Sequence, residues 1–94
     1  MRTITEIKNK IKELKKERKT LPQYSMFGTP NWLLIDTNIR IMEDVIKNKR
    51  SPIFLEEKLD SLSEEYGGNF PDDDTEDRAR MNTYDWLLKK QDEL

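Results

Sequence analysis

Cysteine and histidine are both missing from this 94-residue chain, and their absence removes a large part of protein chemistry. Without a thiol there is no disulfide framework and no thiolate nucleophile; without an imidazole there is no Ser-His pair and no structural zinc site of the usual ligand types. Catalysis would have to run on carboxylates, Lys, Tyr, Ser or Thr, and no GxxxxGK[ST], GxGxxG or HExxH pattern arranges such residues here. Carboxylates abound, but nothing in their placement separates an acid from a base. We therefore expect no enzyme, no cofactor and no resident metal.

Apolar residues are scarce as well. They make up 34% of the chain against 38% charged, which leaves little for a core in so small a domain and favours self-association or a partner. No run approaches the roughly 18 apolar residues of a membrane span, and Glu6 with a lysine series stands where a signal peptide would have its apolar region. A cytoplasmic location with no membrane contact is the expectation.

What is present is helical periodicity. Thr29 to Arg50 is the organising stretch: at about 100° per residue, Trp32, Leu34, Ile35, Ile39, Ile41, Met42, Val45 and Ile46 fall on one broad arc. Asp36, Arg40, Glu43, Asp44 and Lys47 fall on the other half. An arc this wide predicts a helix over 30–49 lying between neighbours, started by Thr29 as N-cap and Pro30 at its first position, and ended by Lys47, Lys49 and Arg50 before Pro52.

The flanking elements follow from the same signals. Thr3 and Glu6 form a capping box, and Ile4, Ile7, Ile11 and Leu14 keep a/d spacing until Arg18 breaks it, predicting helix 1 over 3–20 with a seam that a second copy of the chain could complete. Residues 21–28 connect it to the central helix. Pro22 and Gly28 mark the turn, and Tyr24, Met26 and Phe27 form either a lid on the helix ends or an exposed recognition loop.

Ser51 and Pro52 open helix 3, expected over 52–66, with Leu55, Leu59, Leu62 and Tyr66 inward, Ile53 and Phe54 anchoring its first turn, and Gly67 or Gly68 left-handed at its end. The acidic run Asn69–Asp77 fails as a calcium loop: with Asp72, Asp74 and Glu76 as ligands, Asp77 stands where the turn glycine belongs and Thr83 where the bidentate Glu belongs. It reads better as a helix start, Asp73 as N-cap and Glu76 as its partner, opening helix 4 over 74–92. There Met81, Tyr84, Leu87 and Leu88 face inward, while Trp86 falls nearly opposite, alongside Ala79 and Thr83. Trp86 is then either a surface anchor for a partner or buried by a helix crossing two neighbours. The fold class expected is an all-α single domain of four helices, with the central one packed between helix 1 on one side and helices 3 and 4 on the other.

Charge is sorted along the chain. Residues 1–50 carry a net +6 and residues 51–94 a net −8, although the whole is only −2. Lys8, Lys12, Lys15 and Lys19 form a column on helix 1, with Lys16 nearby, while Glu56, Glu57, Asp60 and Glu64 lie away from the apolar stripe of helix 3. Either the two halves attract each other within the fold or each faces something outside it.

The stretch PNWLLIDTNIRIMEDVI, followed by a short acidic helix, an acidic loop and RARMNTYDWLL, resembles a loose class of small, uncharacterised helical proteins of phages and prophages. The likeness covers about residues 29–88. It implies a mobile-element context, in which small acidic helical proteins often act by occupying a host protein's surface, and carries no catalytic residues to transfer.

The function expected is a non-enzymatic protein-binding module that modulates or inhibits a partner with a basic surface, through Trp86, Glu56, Glu57, Asp60 and Glu64. The alternatives are a nucleic-acid binder using Lys8, Lys12, Lys15, Lys16 and Lys19, and a structural subunit of a homo-oligomer joined through Ile4, Ile7, Ile11 and Leu14.

Overall fold

In a computed structural model of the chain, residues 1–21, 30–72 and 75–94 are described, and they form four helices and no strand. These are α1 (Ile4–Lys19), α2 (Pro30–Lys47), α3 (Pro52–Glu65) and α4 (Glu76–Leu87). The body measures 37 × 34 × 23 Å. The expected lid residues Tyr24, Met26 and Phe27, with Pro22, Gly28 and the cap Thr29, lie outside the described residues, as do Asp73 and Asp74.

Helix starts follow local chemistry. The Thr3 hydroxyl accepts from the Glu6 N–H at 3.2 Å while the Glu6 carboxylate accepts from the Thr3 N–H at 3.3 Å, a complete capping box. Ser51 accepts from the Phe54 N–H, with Pro52 at the first helical position. For α4 the cap is Thr75, which accepts from the Arg78 N–H, so the helix starts two residues later than expected.

Three helices end in the same way. The N–H of Arg50, Gly68 and Lys90 reaches back to the carbonyl of Val45, Ser63 and Asp85 respectively, and the residue before each, Lys49, Gly67 and Lys89, is left-handed with φ of 50°, 61° and 61°. This motif stops α4 at Leu87, five residues short of the expected end at 92.

The packing order is α1, α2, α4, α3: α1 lies on α2, α2 on α4, and α4 on α3. On the side of α2 away from α1, expected to be shared by helices 3 and 4, α4 makes the main contact and α3 packs chiefly on α4, with a cleft between α3 and α2. The reason lies in α4, which buries Ala79, Met81, Thr83, Tyr84, Trp86 and Leu87 over both of its faces. It is a second inner helix, and α2 alone is not the hub.

The core joins Ile7, Ile11 and Leu14 of α1, Ile35, Ile39, Met42 and Val45 of α2, Leu55 of α3, and Tyr84, Trp86 and Leu87 of α4. Each such side chain contributes roughly 1.5–3 kcal/mol by leaving water. Of the two expected anchors of α3, Phe54 packs against the core, whereas Ile53 is 71% exposed.

Two polar contacts set the register between helices. Asp36, assigned to the solvent arc of α2 by periodicity, is buried, and its carboxylate binds Arg18 of α1 at 2.6 Å and Arg40 at 2.8 Å. Arg18 is the residue that interrupts the apolar spacing of helix 1, and the interruption is thereby explained: its guanidinium meets the one buried carboxylate on the facing helix. Between α2 and α4, Thr83 and Asn38 are hydrogen-bonded and both buried, and the Thr83 hydroxyl also lies 2.8 Å from the Ala79 carbonyl.

Candidate protein-binding site

Trp86, expected as a surface anchor if it faced outward, is only 5% exposed and belongs to the core. The anchor role is therefore corrected. α4 packs between α2 on one side and α3 on the other, and on the face carrying Ala79, Thr83 and Trp86 the Thr83 hydroxyl meets Asn38 of α2 while Trp86 meets Arg2 and Lys10 from the N-terminal segment. The Arg2 guanidinium lies 4.6 Å from the Trp86 ring centroid and the Lys10 ammonium 5.8 Å. Arg2 also donates from Nε to the Trp86 carbonyl and from Nη2 to the Gln91 carbonyl, both at 2.9 Å, while its backbone N–H donates to the Leu87 carbonyl at 2.8 Å. Periodicity could not have singled out Arg2, which stands before the first helix and acts on the last.

The acidic residues of α3 behave differently. Glu57, Asp60 and Glu64 are exposed and have no ion-pair partner among the described residues. Glu56 is half-buried and accepts from the Lys90 ammonium at 3.0 Å, so it belongs to the α3–α4 contact. Steps of four, three and four place Ile53, Glu57, Asp60 and Glu64 on one stripe of the helix. The exposed Ile53 thus heads the acidic column, in the place on the surface that Trp86 does not fill. Its stripe position was readable in the sequence, but the first-turn signal pointed it at the core.

Tyr66, at the end of α3, donates to the Asp77 carboxylate in the first turn of α4. This hydrogen bond, with Arg80 at the other oxygen, holds the Asp77 carboxyl below its ordinary pKa and raises that of the Tyr66 phenol. On the other side of the same hairpin, burial raises the Asp85 carboxyl, offset in part by Lys90 and Arg78. Asp44 is held low by Arg50 and Asn48.

On α1, Lys8, Lys12, Lys16 and Lys19 are exposed, whereas Lys15 is half-buried and pairs with Glu43 of α2 at 3.5 Å. The named ion pairs between described residues, Arg2–Glu6, Lys10–Glu13, Lys15–Glu43, Arg18–Asp36, Arg40–Asp36 and Arg50–Asp44 in residues 1–50 and Arg80–Glu76, Arg80–Asp77 and Lys90–Glu56 in residues 51–94, all stay within one half. Because α1 and α3 are the outermost helices of the packing order, the basic and acidic columns occupy separate flanks. Of the seam considered for a homodimer, Ile7, Ile11 and Leu14 are already covered within the chain, and Ile4 is 60% exposed.

Among the described residues no group of three or more Asp or Glu is arranged to hold a metal ion, and no helix is long and apolar enough to cross a membrane. No protein-family model, curated protein or solved structure matches this chain.

Proposed function

We propose that this chain is a non-enzymatic protein-binding module that meets a basic surface on another protein through the outer face of α3. The supporting observation is the stripe of Ile53, Glu57, Asp60 and Glu64: an exposed apolar side chain followed by three exposed carboxylates with no ion-pair partner among the described residues. Such an arrangement steers a cationic surface by charge and gives it one apolar contact to bury. In the mobile-element setting that the sequence resembles, the bound surface would be a host protein's nucleic-acid-binding site, with the carboxylates standing where phosphates bind, and the effect would be inhibition.

Affinity capture from the native host, read by mass spectrometry, tests this with the wild type beside an Ile53→Ser, Glu57→Gln, Asp60→Asn, Glu64→Gln variant. The variant changes only exposed groups and keeps the fold, as circular dichroism would verify. A basic partner retained by the wild type and lost from the variant is the expected result. A partner held equally by both would end the assignment to α3.

A second reading rests on the exposed lysines of α1. If Lys8, Lys12, Lys16 and Lys19 track phosphates, duplex or single-stranded nucleic acid is retarded at low salt and released steeply as salt rises, through counterion release. No shift at low salt removes that reading.

A further inference from the structure

The gap between α2 and α3 is a cleft of about 300 Å³, at the lower end of the size range of small-molecule sites. Its apolar lining comes from Ile41 and Val45 of α2 and Phe54 and Leu55 of α3. Arg40, Arg50 and Lys58 bring three positive charges to it and Asp44 one negative charge. The Asp44 carboxylate is already engaged by Arg50 at 3.1 Å and by the Asn48 amide at 2.6 Å. Lys58 has no ion-pair partner among the described residues; it lies 5.4 Å from the Phe54 ring centroid, with Arg50 at 4.3 Å from the same ring. The local charge is thus opposite in sign to that of the acidic half in which Lys58 stands.

Tyr84 adds a hydrogen-bond donor to the cleft. The residue is 9% exposed, and its hydroxyl makes no hydrogen bond among the described residues but is not a fully buried atom, so the oxygen opens toward the cleft. It lines this cleft and also the adjoining hollow beside Ser61 and Leu62, and Lys58 borders both. A phenol that opens into a partly apolar cleft offers one donor to an acceptor bound there. Burial raises its pKa above the ordinary value, so it remains a donor at neutral pH.

We propose that this cleft binds a small amphipathic anion, an apolar body carrying one carboxylate or phosphate, with the body against Val45, Phe54 and Leu55 and the head group between Lys58, Arg50 and the Tyr84 hydroxyl. The bound molecule would fill the cleft between α2 and α3 and add to the packing of α3 on the bundle. This site is separate from the outer stripe of α3, and its test does not depend on any protein partner.

The test titrates the full, uniformly ¹⁵N-labelled chain with 3-phenylpropionate, phenyl phosphate and the neutral 3-phenylpropanol, following backbone amides. The anions are expected to shift Arg50, Phe54 and Lys58 saturably, and the better of the two identifies the head group. The alcohol, and either anion on the Lys58→Ala or Tyr84→Phe variant, is expected to bind about tenfold more weakly. No saturable shift with either anion into the millimolar range overturns the proposal, as does equal binding of the alcohol or unchanged binding by both variants. Melting curves of the two variants establish that they are folded.

Discussion

At the scale of single residues, the buried pair Asn38 and Thr83 has more effect than its two hydrogen bonds suggest. The Thr83 hydroxyl has one proton and two neighbouring acceptors, the Asn38 side-chain oxygen and the Ala79 carbonyl. Turning the Asn38 amide so that its nitrogen faces Thr83 satisfies all three groups, with Thr83 donating to Ala79. Replacing Thr83 by Val leaves the Asn38 amide facing apolar contacts, and we expect a loss of about 1–3 kcal/mol in urea unfolding. The double variant Asn38→Leu, Thr83→Val recovers part of that loss, because no polar group is then left unpaired. Lys49 acts in the opposite direction. It is exposed and holds φ 50° at the end of α2, a conformation that L side chains adopt at a cost and glycine does not. Lys49→Gly is therefore expected to stabilise by about 0.5–1 kcal/mol, read from the same unfolding curves.

At the scale of elements, the last helix is held by residues far from it in sequence. Arg2 caps the end of α4 by donating to the Trp86 and Gln91 carbonyls and covers the Trp86 ring. Arg2→Ala should cost about 1.5–3 kcal/mol, the usual worth of hydrogen bonds from a charged donor. Amide exchange should show the loss first at residues 87–91. The other end of α4 is joined to α3 by Tyr66 and Asp77. Because the folded Asp77 carboxyl lies below its unfolded value, its contribution is present above the unfolded pKa and is lost as pH falls through the folded one. In Tyr66→Phe the Asp77 carboxyl loses the largest cause of that depression, so its titration is expected to move up toward the ordinary range. The variant should then show a smaller acid-dependent loss of stability, and a carbon-detected NMR titration of Asp77 checks both the direction and the residue. Much at this scale was legible from sequence: the capping box at Thr3, the Ser51–Pro52 start of α3 and the glycine end at Gly67 all involve groups within a few positions of one another. The early stop of α4 was not, since its motif uses Lys89 where a glycine would have announced it.

At the scale of the whole molecule, one apolar seam has been divided. Ile7, Ile11 and Leu14 face α2 within the chain, while Ile4 is left at the surface. Ile11→Ala is expected to lower stability by about 2–5 kcal/mol, whereas Ile4→Ala should stay within about 0.5 kcal/mol. Equal effects would mean that the seam is used as a unit, between copies; sedimentation of the wild type over a range of concentrations gives the same discrimination directly. The two charged flanks complete the picture. α1 and α3 never meet as packed elements, so their columns do not neutralise each other, and the acidic face of α3 is available to the basic partner proposed for it.

The sequence by itself determined four helices, most of their starts, and the sorting of positive and negative charge. Each of these depends on hydrogen bonds within one turn or on a spacing of three and four residues. Only the tertiary structure decided that α4 lies inside, that Trp86 is covered and Ile53 is not, and that Arg18 and Asp36 share one ion pair. Those outcomes rest on contacts between residues as far apart as Arg2 and Gln91, where the free energy comes from which surfaces are removed from water together. A periodic pattern shows that a helix has a face to bury; it does not say which neighbour will cover it.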